Sequence, residues 1–255
     1  MNKKTILISV GLVVIIAAAV AVKMIWFPSV KDAWFKYNSR QLHLAPPGLV
    51  IVRKTHFPNG PTNQMVYARV RGGFWQSGRN VPFQQVIALA YEYNPGRVYI
   101  PAGAPEYNFD ILVTASGDFH PKMKALVQHL TGYTADVETQ DADVLALKVV
   151  DPHPDDMTPS APNEKQNSDF KNGKLYLKHM KLQDITSGLE NFMKTPIVDE
   201  TGLSNNFYDF TLDWKQGMNP NNFSRDDFDR IVAGWGLKLE PDTAPVEMLV
   251  AKKKY

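Results

Sequence analysis

Two repeated acids, Asp110 and Asp209, are the residues whose setting most invites a chemical role, each lying in a short aromatic and aliphatic run. Matched carboxylates could line one site between two like units. They could equally receive backbone N–H bonds at strand edges, as aspartate does beside tight turns. The second role is favoured, because a position kept in both copies of a repeat is first a requirement of the fold. Asp151, His153, Asp155 and Asp156 form an acidic cluster with one imidazole, donors that suit a divalent cation. The prolines between them hold that segment extended and point the donors apart, so no metal site is assigned. His120 and His129 are too far apart along a helix to share a ligand. The chain has no cysteine, which removes thiolate nucleophiles, disulfides, Cys-type zinc and a lipidated cysteine. It also lacks a His-Glu-x-x-His helix, a Gly-x-Ser-x-Gly elbow and a Gly-rich phosphate loop. No catalytic residue and no cofactor is therefore assigned.

The elements that would position these residues come twice. A shift of about 99 residues lays Phe83 on Leu182, Val86 on Ile185, Gly103 on Gly202 and Asp110 on Asp209. Further on the shift becomes about 102, placing Gly132 on Gly234, Glu138 on Glu240 and Val144 on Val246. The copies run from Gly72 to Val150 and from Gly173 to Lys252. In each, an amphipathic helix begins at the first matched apolar residue, with Leu182, Ile185, Leu189, Phe192 and Met193 marking the second. A further helix follows, Lys122 to Leu130 and Arg225 to Ala233, the latter with Ser224 as N-cap and Asp227 as its reciprocal acid. Gly132 and Gly234 fit the left-handed position after a helix. Each copy is expected to close with two strands, in the second Leu237–Glu240 and Val246–Ala251. Leu49–Thr55 and Met65–Val70 add two strands to the first copy. Asp151 to Asn172, with four prolines, reads as a linker.

The 255 residues hold 44% apolar and 21% charged side chains with a net charge of +2, so the chain is globular and nucleic acid is not its expected partner. Lys3 and Lys4 precede an apolar run from Ile6 to Val22, followed by Lys23, Trp26, Phe27 and Pro28. That suits a signal anchor that spans a bilayer, with the aromatics at the headgroups. A cleaved signal peptide after Ala19-Val20-Ala21 is the alternative. Either way the bulk of the chain is expected outside the cytoplasm, periplasmic on a single-pass inner-membrane anchor, or secreted if cleaved.

The stretch Pro196-Ile197-Val198-Asp199-Glu200-Thr201-Gly202-Leu203, then Tyr208-Asp209-Phe210-Thr211-Leu212-Asp213-Trp214, ends in Gly236-Leu237-Lys238-Leu239-Glu240 and Pro245-Val246-Glu247. This resembles an uncharacterised, soil-associated protein family expanded in Acidobacteria and Verrucomicrobia. The resemblance is specific over residues 196 to 250 and covers most of the chain beyond residue 48. The first copy departs from it at Tyr107-Asn108, where the family usually has a charged pair. The family has no assigned activity. Some relatives are joined to membrane sensor peptidases, which implies an extracytoplasmic sensing or interaction role.

The expected architecture is thus α+β, an N-terminal transmembrane helix (1–28) followed by two related helix-on-antiparallel-sheet units, 29–150 and 173–255, joined by a Pro-rich linker (151–172). The expected function is a non-enzymatic interaction or sensing module with an envelope protein as partner. A periplasmic small-molecule or peptide-binding protein is the alternative, and a hydrolase with a dispersed site the second alternative, since triads assemble in space. Tyr93, Arg97, Tyr99 and Tyr107, around the Asn94-Pro95-Gly96-Arg97 turn, are the candidate partner surface. Asp110, Asp209, Gly103, Gly202, Gly132 and Gly234 are the structural signature.

Overall fold

The computed structural model describes residues 32–35, 39–70, 73–213 and 224–254. The expected transmembrane helix over 1–28, together with Gly72 and Trp214, lies outside them. No helix among the described residues is long and apolar enough to cross a membrane.

The fold is mixed α+β, and its repeat is visible element by element. The first unit runs β1 (Val50–Lys54), β2 (Gln64–Val70), β3 (Gly73–Val81), α2 (Phe83–Tyr91), β4 (Val98–Tyr99), β5 (Phe109–Val113), α3 (His120–Thr131) and β6 (Tyr133–Val149). A short helix α1 (Ser39–His43) precedes it. The second runs β7 (Met157–Pro159), β8 (Asn167–Lys171), β9 (Lys174–Lys181), α4 (Leu182–Met193), β10 (Ile197–Asp199), β11 (Phe207–Asp213), α5 (Arg225–Gly234) and β12 (Leu237–Lys253). Two antiparallel sheets follow with the same order, β1-β5-β3-β2 and β7-β11-β9-β8. The stretch expected as a linker thus supplies β7 and β8. Its prolines fall beside or at the end of these strands, and both strands sit at sheet edges, where a missing N–H is tolerated.

The third sheet, β10-β6-β12-β4, joins the units. The two closing strands expected in each copy are one long strand of 17 residues, β6 and β12, paired antiparallel along their whole length. Each serves both cores. Tyr133 and Ala135 from the start of β6 pack in the first core beside Leu249 and Ala251 from the end of β12. Leu145 and Leu147 from the end of β6 pack in the second core with Leu237 and Leu239. β4 pairs parallel to β12 at Leu249–Val250, and β10 parallel to β6 at Leu145–Leu147, so each short strand docks on the other unit's long one. The ends repeat too, Lys254 N donating to Gly132 O at 2.7 Å and Val150 N to Gly236 O at 2.8 Å.

These ends correct the register read from sequence. Gly132 follows α3 at φ 75°, and its counterpart is Gly236 at φ 70°, not Gly234, which closes α5 in helical conformation. The chain runs on to Trp235, buried and T-stacked on Phe210, before it turns left-handed. Gly103 and Gly202 are both left-handed, at φ 83° and 71°. α5 starts with the full capping box, Ser224 and Asp227 each bonding the other's backbone N–H.

Helices α2 and α3 cover one face of the first sheet, burying Phe83, Val86, Ile87, Met123 and Val127. Its other face is covered by the segment before β1, through Trp34, Phe35, Leu42 and Ala45 on Val66, Ala68 and Leu112. Arg53 fastens that segment, pairing with Asp32 and lying 4.3 Å from the Phe35 ring centre. The hydrogen bond from Arg53 holds the Asp32 carboxyl below its ordinary value against opposing desolvation, with the charge of Arg53 and then His56 lowering it further. A carboxyl depressed on folding stabilises the folded state above its unfolded value, and that contribution disappears as pH falls through the folded one. Trp34 emission should therefore be shifted in Asp32→Asn relative to the parent at pH 7, with the difference fading only as pH falls below about 4. A difference that persists at pH 2 would show that the latch does not depend on this charge.

Candidate functional site

The repeated acids prove to anchor a β-bulge in each unit. Asp110 is fully buried. It accepts from Thr55 Oγ1 at 2.7 Å, His56 N at 3.0 Å, Asn80 N at 3.2 Å and Arg53 Nε at 3.2 Å. Asp209 accepts from Ser160 Oγ and from His179 N at 3.0 Å. Asn80 and His179 hold the same place, both left-handed at φ 55° and 54°. Each carboxylate fixes an N–H that the bulge withdraws from the ladder, which is a demand of the backbone.

A cleft lies elsewhere, where the units meet. Of about 650 Å³, it is bounded by the α2–β4 connection, by α4 and β10, and by Pro245–Glu247 in the middle of β12. Its base is a built network. Glu190, 3% exposed, accepts from Arg97 Nε at 2.9 and 3.1 Å, from Arg97 at a terminal nitrogen at 2.6 Å, from Asn94 Nδ2 at 2.8 Å and from Ile197 N at 2.7 Å. Arg97 also donates to Ile197 O at 3.1 Å, and Asn94 to Ser187 O at 3.0 Å. The turn that carries Asn94 and Arg97 approaches α4 so closely that a Cβ on Gly96 would stand 2.5 Å from Glu190 O. Only glycine permits that approach.

The electrostatics follow from this pairing. The Glu190 hydrogen bond raises the Arg97 pKa further, so the guanidinium stays charged, and it is committed to Glu190. Glu92, Asp199 and Glu247 then leave the cleft acidic. Asp199 is oriented by Thr201, whose N and Oγ1 donate to Oδ1 at 2.8 and 2.6 Å, while its Oδ2 is buried without a partner. Burial, then the nearby Glu247, raises the Tyr93 pKa, so its hydroxyl stays protonated and donates to Glu247 O at 3.3 Å.

Of the four residues marked as a partner surface, the cleft gathers Tyr93 and Arg97. Tyr99 lies on β4, 47% exposed, and Tyr107 packs on Phe109 at 5.1 Å beneath Lys54. Glu190 went unnoticed in the sequence although a signal existed. The buried side of α4 is Leu182, Thr186, Leu189 and Glu190, a carboxylate on the apolar stripe, while Phe192 is 50% exposed. An acid at such a position needs a buried partner.

Nothing in these arrangements activates a nucleophile. Among the described residues no histidine ring is hydrogen-bonded to a serine hydroxyl, and the Ser160 hydroxyl donates its hydrogen bond to Asp209. His153 N donates to Asp151 at 2.9 Å within its own turn. Among the described residues no group of three or more His, Cys, Asp or Glu could hold a metal ion.

A family described as "Protein of unknown function (DUF3738)" matches residues 84–253, more than half of the chain. The chain belongs to the DUF3738 family. The matched region begins inside α2 and contains both walls of the cleft and the whole β6–β12 ribbon, whereas β1 to β3 precede it. Comparison with curated proteins and with solved structures finds no match.

Proposed function

We propose that this DUF3738 protein is a membrane-tethered, extracytoplasmic interaction module that receives a segment of a partner polypeptide in the cleft between its two units. The observation that carries the reading is the cleft itself, about 650 Å³ and lined by α4 and β10 of one unit and the α2–β4 connection of the other. An open groove that mixes acidic, amide and hydroxyl side chains with apolar ones suits an extended chain better than a small apolar ligand, whose sites are mostly hydrophobic. Its acidic rim selects basic segments, and the Arg97–Glu190 pair holds the two walls at fixed separation. The tether rests on the lysine-flanked apolar run from Ile6 to Val22.

A photo-crosslinking residue at Glu247 or Glu92, in envelopes of the native host, should give one discrete heavier adduct. The same residue at Tyr176, on the far face of the second unit's sheet, should not. Adducts equal at all three positions, or absent from all, would remove the cleft as the interaction site. A reporter fused after Tyr255 that is active only in the cytoplasm would overturn the exported topology.

A further inference from the structure

The two units serve as controls for each other, and they differ at the bulge. In the first, Asn80 is buried and saturated. Its Nδ2 donates to Gly60 O at 2.8 Å and Pro61 O at 3.4 Å, and its Oδ1 accepts from Asn108 Nδ2 at 2.9 Å. The loop between β1 and β2 thereby closes over it. In the second unit His179 replaces Asn80 and Phe207 replaces Asn108, and their rings stack at 4.1 Å and 4°. The backbone demand is unchanged, since His179 N still donates to Asp209. The side chain is freed from it, and the His179 Nδ1 is buried with no hydrogen-bond partner. Beside it a cavity of about 330 Å³ is lined by Ser160, Pro162, Asn205, Asn206 and the ring of Phe207. The fold needs no histidine here, because asparagine meets the same need in the first unit. A histidine that the backbone does not need, lining a cavity with hydrogen-bonding side chains, requires another explanation.

We propose that this cavity is a second binding site, separate from the cleft, in which His179 receives a neutral, hydroxyl-rich small molecule of monosaccharide size. The residues lining it include no Asp, Glu, Lys or Arg. The nearest carboxylate, Asp209, is committed to Ser160 and His179 N. Lys181 lies 5.4 Å from the Phe207 ring centre and does not line the cavity. A charged ligand would thus find no counter-charge, which a desolvated ion requires. Hydroxyl groups can both donate and accept. They match the amides of Asn205 and Asn206 and the imidazole that lines the cavity, while Pro162 offers an apolar surface to the C–H groups of a sugar ring.

Saturation-transfer difference NMR on the full chain in detergent tests this, with glucose and N-acetylglucosamine as neutral probes and glucosamine and gluconate as charged controls. Saturable transfer to at least one neutral sugar is expected, lost in His179→Asn, a variant that should melt with the parent because Asn80 already holds that backbone geometry. Asn205→Ala, at an exposed position, keeps the test independent of folding and should weaken binding about 2- to 10-fold, the worth of one neutral hydrogen bond. No transfer to either neutral sugar, transfer unchanged by both variants, or stronger transfer to a charged control would each overturn the proposal.

Discussion

Replacing Leu249 by alanine should destabilise the first unit, although the residue belongs to the last strand of the second, by about 2–5 kcal/mol. Leu249 is 1% exposed and packs with the residues of α2, α3 and β5. Its removal leaves a cavity among side chains held by a sheet that cannot close around it, so both the transfer loss and the cavity cost apply. Leu147→Ala is the mirror experiment, since Leu147 lies near the end of the first unit's long strand and packs in the second core. Urea denaturation gives the magnitude, and native-state hydrogen exchange gives the place. Leu249→Ala should lower protection first in α2 and β5, and Leu147→Ala first in α5 and β11. If each variant instead loosens the unit that carries it in sequence, the exchanged strands are not what holds the cores.

Glu190→Ala should cost about 3–5 kcal/mol, the range for removing one member of a buried ion pair. The loss is larger than that of a surface pair because the carboxylate is 3% exposed and also serves Asn94 and the Ile197 N–H. Arg97→Ala strands the carboxylate among groups that cannot neutralise it and should be comparably damaging. The double variant should be less destabilised than the sum of the two, with a coupling of about 0.5–3 kcal/mol. Additive losses would mean that the two side chains act independently and that the cleft walls are not joined through them.

Much of each unit was legible in the sequence because its determinants are local. Helical spacing placed α2, α3, α4 and α5, and Ser224 with Asp227 fixed the start of α5 to the residue. Alternation found β1 and β2 within a residue at either end. The repeated Asp110 and Asp209 flagged a shared backbone need. The candidate site was legible only in part, since Tyr93 and Arg97 face a cleft whose other wall comes from residues about 90 to 150 positions later in the chain. Spacing along the chain carries no information about such a meeting.

The sequence by itself determined that there are two like α+β units, where their helices lie, and that the repeated acids serve the backbone. Tertiary structure decided how the units share their cores. β12 reads as two strands because Pro241 and Pro245 interrupt the alternation between Leu239 and Val246. Those prolines are tolerated because β4 reaches only Leu249 and Val250, so among the described residues no strand pairs with the outer edge of β12 where the prolines lie. An apolar pattern shows which face of a strand is buried, but not in which core. That choice rests on the full-length pairing of β6 with β12, which carries the far half of each strand into the other unit.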